Sequence, residues 1–192
     1  DHFKMSTKPD FPLVLLGCLS MMAVIPFVGL LSELTLSLPW PESLQAKMEE
    51  MSSGSHELQS ALLNIGHFGE FVLILITLAV LPALGEELLV RGSLQQLLLE
   101  ERKSAIGAII LSALFFAAMH LQYENFLGIF TYGVMLGLFY YWSGNLWVSI
   151  IAHFFNNATI VTVSYLFSSE VLEPDSGSLG MTILYGLGSL VL

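Results

Sequence analysis

Positive charge is scarce in this chain. Among 192 residues only six are Lys or Arg, against 16 Asp or Glu, for a formal net charge of −10. Six scattered cations exclude a nucleic-acid-binding surface, which needs clustered Lys and Arg to neutralise phosphates. Cysteine is almost absent too: Cys18 stands alone, which rules out an internal disulfide and a Cys-based metal site and reads as a small apolar residue inside a helix. The His-Glu-x-x-His spacing of zincins is missing, as are internal repeats, low-complexity segments and a cleavable signal peptide. Charged residues of both signs make up 11% of the chain and hydrophobic residues 55%, whereas soluble domains carry about 25% charged residues. The expectation is an all-α integral membrane protein, a polytopic transmembrane bundle of about six helices. Its acidic residues cluster in the connections between apolar segments, so topology accounts for the net charge.

Helix A, Phe11 to Leu31, is long enough to span a bilayer, with a kink expected at Pro26. A polar, acidic stretch follows from Ser32 to Ile65, with an interfacial turn at Pro39, Trp40 and Pro41. Within it Leu44, Met48, Met51 and Leu58 recur at near-helical spacing, which fits either a surface-lying amphipathic helix or an acidic loop. Helix B runs from His67 to about Leu99, ~50 Å if unbroken, so it kinks at Pro82 or projects from the membrane. Helix C covers Ser104 to Leu121 and helix D Phe126 to Trp142, with Gly133 and Gly137 at the spacing that lets helices approach closely. Helix E spans Leu146 to Phe167, and helix F follows a second acidic connection, Ser168 to Ser178. Residues 1–65 thus form a first span with an external acidic loop, and 66–192 a core. The chain opens on Asp1 and stops within an apolar run, so further helices are expected at either end. Lys4 and Lys8 before helix A, with Arg102 and Lys103 between B and C, fall on one side of alternating spans, which the positive-inside rule makes cytoplasmic.

The stretch LGEELLVRGSLQQLLL, Leu84 to Leu99, places Glu86, Glu87 and Arg91 in an otherwise apolar helix. An ionisable residue at mid-membrane costs about 3 kcal/mol even on lenient insertion scales, which points to function. Glu87 and Arg91 are four apart and share a face, so they can pair. Glu86, rotated ~100° from Glu87, is left to meet something else. Taking B and C as a hairpin, Glu86 and His120 both lie ~24 to 26 Å from its turn, a depth match that permits contact. Helix E offers His153 and Asn157 on one face, with Asn156 turned away as a structural residue. His153 is only ~12 Å into its helix, a mismatch that closes if the B and C hairpin projects ~10 Å beyond the membrane. A carboxylate, two imidazoles and an amide converging in a membrane suit the activation of water: Glu86 as general base, the histidines holding the same water or a metal, Asn157 donating to an oxyanion. His2, His56 and His67 read as a tail, a loop and an interface residue, the last beside Glu70. Phe139 to Trp142 reads as an interfacial aromatic belt, and Thr131 and Tyr132 either line a substrate path or pack between helices.

Glu-Glu-x-x-x-Arg at Glu86, Glu87 and Arg91, Phe-x-x-x-His at Phe116 and His120, and His-x-x-x-Asn at His153 and Asn157 occur in that order. This arrangement resembles the CAAX protease and bacteriocin-processing family of intramembrane endopeptidases, which includes the type II CAAX prenyl endopeptidase, over about Phe68 to Thr159. The resemblance implies a helical membrane protease in which Glu86 is the catalytic base and His120, His153 and Asn157 complete the site. Members have been described both as metalloproteases and as metal-independent glutamate proteases. A zinc ion, if bound, would take Glu86, His120 and His153, although using Glu86 as a ligand removes the base, so the reading leans away from a resident metal. The implied partners are the lipid bilayer and a membrane-proximal peptide, the implied location a multi-pass cell-membrane protein with its site on the cytoplasmic side. Intramembrane Glu and His also mark proton-coupled transporters, but the inverted repeats of such proteins are not evident. A non-catalytic immunity or scaffold protein of the same fold is the third alternative.

Overall fold

The computed structural model describes residues 3–47, 50, 53, 62, 64–102 and 104–168. His2, His56 and Lys103, the apolar positions Met48, Met51 and Leu58, the second acidic connection beyond Ser168, and the expected helix F lie outside those residues. The described chain is a bundle of helices with no strand among the described residues. Four of these helices are long and apolar enough to cross a membrane.

Helix α1, Phe11–Ser37, begins with a proline in its first turn, where the missing N–H costs nothing. It continues through Pro26 and past the expected end at Leu31. The polar residues there do not break it, because Ser32 and Thr35 turn their hydroxyls back onto the Val28 and Leu31 carbonyls at 3.2 and 2.8 Å. The Trp40 indole then caps the Thr35 carbonyl at 2.8 Å. Pro39 and Pro41 prevent continuation, and residues 42–47 form a short exposed helical stretch.

Helix α2 is one apolar span, Phe68–Glu101. Its start is a reciprocal cap: His67 Nδ1 accepts from the Glu70 N–H at 3.2 Å, while a Glu70 carboxylate oxygen accepts from the Gly66 N–H at 2.8 Å. That arrangement gives His67 and Glu70 a local structural role. The helix winds as an α-helix except at Ile76–Val80 and Leu88–Gln95, which are π-helical. The first π segment immediately precedes Pro82. A mid-helix proline removes an N–H and crowds the carbonyl four residues back, and a wider turn relieves that crowding. Helix α3, Ala105–Met119, is capped by Ser104, whose hydroxyl accepts from the Gly107 N–H at 3.2 Å. At 15 residues it is ~22 Å long. Leu121, just beyond it, takes a left-handed conformation with φ 55°.

Helix α4, Phe126–Ser143, ends at Gly144, whose φ of 58° is the left-handed cap that glycine tolerates best. Two carbonyls of α4 receive polar side chains from α2: Arg91 Nη2 donates to Gly133 at 2.9 Å and Gln95 Nε2 to Gly137 at 3.0 Å. Both positions need glycine. A Cβ on Gly133 would lie 3.1 Å from the backbone of Ala113 in α3, and one on Gly137 would lie 2.9 Å from Gln95 Oε1. The small-residue spacing of α4 therefore lets α3 approach and lets α2 reach its carbonyls. Counting from the helix ends, these pairings leave the ends of α2 and α4 level to within ~2 Å.

Helix α5, Leu146–Ser168, is set lower. Ser149 donates to the Leu136 carbonyl at 2.9 Å, which recesses the first turn of α5 ~6 Å below the last turn of α4. The N-terminal segment covers the recess. Lys4 accepts from the Leu146 N–H, Met5 from the Trp147 indole and Thr7 from the Asn145 amide, at 3.2, 3.2 and 2.9 Å. About 6 Å of the depth mismatch between His153 and Glu86 is absorbed in this way. The apolar core joins Met21 and Val28 of α1 to Phe116, Leu136, Ala152 and Ile160.

Candidate active site

Glu86, His120, His153 and Asn157 meet at one cavity of about 360 Å³ lined by residues from α1 to α5. Glu86 faces it from α2, His120 from the end of α3, Tyr132 from α4, and His153, Asn156 and Asn157 from α5. Met21 of α1 completes the wall.

Glu86 and Glu87 diverge as their ~100° rotation requires. Glu87 is fully buried, with Arg91 Nη1 2.8 Å from its Oε1. Arg91, also fully buried, lies 4.5 Å over the Phe116 ring, so the cation is held by a carboxylate, a carbonyl and an aromatic face. His153 Nδ1 sits 3.0 Å from the same Glu87 Oε1. A carboxylate oxygen can only accept, so Nδ1 carries the proton and the Nε2 lone pair is turned to the cavity. His120 is fixed in the same sense, its Nδ1 donating to the Phe116 carbonyl at 2.7 Å. Phe116 packs against both imidazoles, with ring centroids 4.7 Å from His120 and 5.9 Å from His153.

Both Nε2 atoms lie 3.9 Å from Glu86 Oε2, which is buried and takes no hydrogen bond within the described residues. That distance is too long for direct hydrogen bonds. Three acceptors therefore converge on one space. A zinc ion with bonds of ~2.1 Å would set tetrahedral ligands ~3.4 Å apart, closer than the observed spacing. Among the described residues no group of three or more His, Cys, Asp or Glu is arranged to hold a metal ion. A water ~2.8 Å from two acceptors spans a 3.9 Å gap at an angle of ~90°. The observed spacing thus lies between that of a tetrahedral zinc set and the ~4.4 Å that a water donating at its own ~105° angle would set.

Asn157 donates from Nδ2 to the Leu78 carbonyl at 3.2 Å. Leu78 lies in the first π segment, four residues before Pro82, which has no N–H to offer its carbonyl. One amide hydrogen of Asn157 is thereby committed, and the other remains. Asn156 does not turn away from the site; it lines the cavity beside Asn157, as does Tyr132. Helical rotation alone gave no signal for Asn156, and Tyr132 was one of two readings of α4.

A polytopic helical bundle with a carboxylate, two imidazoles and paired amides lining one cavity defines a class of membrane proteins with hydrolase-like sites. Residues 68–159 match the model of a family described as type II CAAX prenyl endopeptidase Rce1-like. The chain is also 38% identical over 88 residues to the uncharacterized protein YpbD of Bacillus subtilis (strain 168), a match covering 44% of this chain and 42% of that one. The chain thus spans about two fifths of the length of this curated relative. No solved structure matches.

Proposed function

We propose that the protein is an intramembrane endopeptidase that hydrolyses a peptide bond of a membrane-anchored substrate by attack of an activated water. The observation that carries this reading is the convergence of Glu86 Oε2 with two outward-facing imidazole lone pairs at 3.9 Å. A water has two O–H groups and meets three acceptors, so Glu86 can take one proton while a histidine holds the other. The hydroxide adds to the scissile carbonyl. The free N–H of Asn157 steadies the resulting oxyanion, and the proton on Glu86 passes to the departing amine. Glu87, Arg91 and Phe116 hold His153 and the helices in place. No step is routed through a metal. The family's description supports a C-terminal peptide on a lipid-anchored protein as substrate, and the basic residues Lys4, Lys8, Arg102 and Lys103 mark the cytoplasmic face, from which Glu86 lies ~22 Å along α2.

The test uses the full chain in proteoliposomes with a farnesylated, quenched-fluorescence CAAX peptide. Glu86→Gln should lower cleavage at least 100-fold, the scale of general-base catalysis, with the melting temperature unchanged. Full activity of this variant would overturn the assignment, and transport of protons lost in its place would favour the transporter reading.

A further inference from the structure

Two polar side chains that line the cavity take no part in the reaction above, and each carries a buried polar atom without a partner among the described residues. Tyr132 is 4% exposed and its hydroxyl has no hydrogen bond within the described residues; Asn156 is also 4% exposed and its Oδ1 is likewise unpartnered. If helix packing alone were required, a phenylalanine would fill the place of Tyr132 without burying an unsatisfied hydroxyl.

The orientation of Asn156 is set by a chain of hydrogen bonds that starts at Pro82. The Leu78 carbonyl can only accept, so Asn157 must turn its Nδ2 towards it, at 3.2 Å. That leaves Asn157 Oδ1 facing Asn156, whose Nδ2 donates to it at 3.3 Å. Asn156 Oδ1 is then the end of the chain, an acceptor with nothing to accept from. Tyr132 contributes the complementary donor. An unpaired donor and an unpaired acceptor on two residues that line one cavity match the C=O and N–H that every peptide unit carries.

We infer that Tyr132 and Asn156 form a backbone clamp: the Tyr132 hydroxyl donates to a substrate carbonyl and Asn156 Oδ1 accepts from a substrate N–H. The clamp holds an extended peptide beside Glu86 without reading its side chains. The orientation of the scissile bond rests on the proposed proteolytic function, whereas peptide binding at the clamp does not.

The experiment measures binding in the Glu86→Gln chain in nanodiscs, where cleavage cannot interfere, by fluorescence anisotropy of a dye-labelled farnesylated CAAX peptide. Tyr132→Phe should raise Kd about fivefold, the value of a hydrogen bond, with an unchanged melting temperature. A series of depsipeptides, each with one backbone N–H replaced by an ester oxygen, should reveal one position that weakens binding. In the Asn156→Ala chain that position should lose its effect, which a merely structural Asn156 would not produce. Unchanged Kd for Tyr132→Phe, together with an ester effect that persists in Asn156→Ala, would overturn the clamp. So would an absence of peptide binding. Binding that follows the expected pattern in a protein whose Glu86-intact form leaves the peptide uncut would uphold the clamp and refute the protease reading.

Discussion

At the residue scale, the site depends on two adjacent glutamates doing different things. Glu87 is neutralised by Arg91 and orients His153, which frees Glu86 to face the cavity. Removing one member of a buried pair leaves an uncompensated charge, at a cost of about 3 to 5 kcal/mol. Arg91→Ala should therefore lower the melting temperature and yield of the protein along with any activity, measured by thermal unfolding in detergent. Normal stability with loss of turnover alone would mean that Arg91 contacts substrate. This part of the site was legible in the sequence, because one helical turn separates Glu87 from Arg91 and 100° separates Glu86 from Glu87. Asn156 was not. Rotation about a helix axis tells which residues share a face, but α5 is packed by α1, α2 and α4, so a residue turned away from one neighbour meets another.

The elements add a second layer, in which backbone irregularity is converted into side-chain orientation. Pro82 frees the Leu78 carbonyl, Asn157 caps it, and the cap directs Asn156. Asn157→Ala should cost about 1 to 3 kcal/mol for the buried carbonyl it strands. In a Pro82→Ala background the new N–H can bond Leu78, so the same substitution should cost less. A double-mutant cycle by denaturant unfolding should give a coupling of about 0.5 to 1.5 kcal/mol, and zero coupling would break the link. The existence and order of helices α1 to α5 were legible from long apolar runs, and the close approach of α3 and α4 from Gly133 and Gly137. The extension of α1 to Ser37 was not, since Ser32 and Thr35 look like loop residues until their hydroxyls fold back on the helix. Nor was the recess of α5, which depends on Ser149 meeting the Leu136 carbonyl and on the N-terminal segment that covers it.

For the molecule as a whole, the metal question has a direct readout. With Glu87 committed to Arg91 and His153, a zinc ion would either take Glu86 and remove the base or rest on two histidines, so we expect well under one zinc per chain by elemental analysis, and cleavage that survives exhaustive chelation. Stoichiometric zinc, with activity lost to chelator and restored by the ion, would make Glu86, His120 and His153 its ligands.

Helix α3 carries a consequence for the surrounding lipid. Its ~22 Å fall short of the ~30 Å hydrocarbon thickness, and the segment after it, residues 120–125, is non-helical. Irregular backbone at that depth is tolerated only against protein or water. Asn125 is paired with Ser32 of α1 at 2.9 Å and with Gln122 at 3.2 Å, but Leu121 and Tyr123 are exposed. The bilayer must thin around this end of the bundle, drawing its polar boundary towards His120. Turnover, under the proposed function, should accordingly depend on acyl-chain length, running faster in bilayers of 14-carbon than of 22-carbon chains at matched fluidity, since the thicker membrane works against the deformation that brings water towards Glu86.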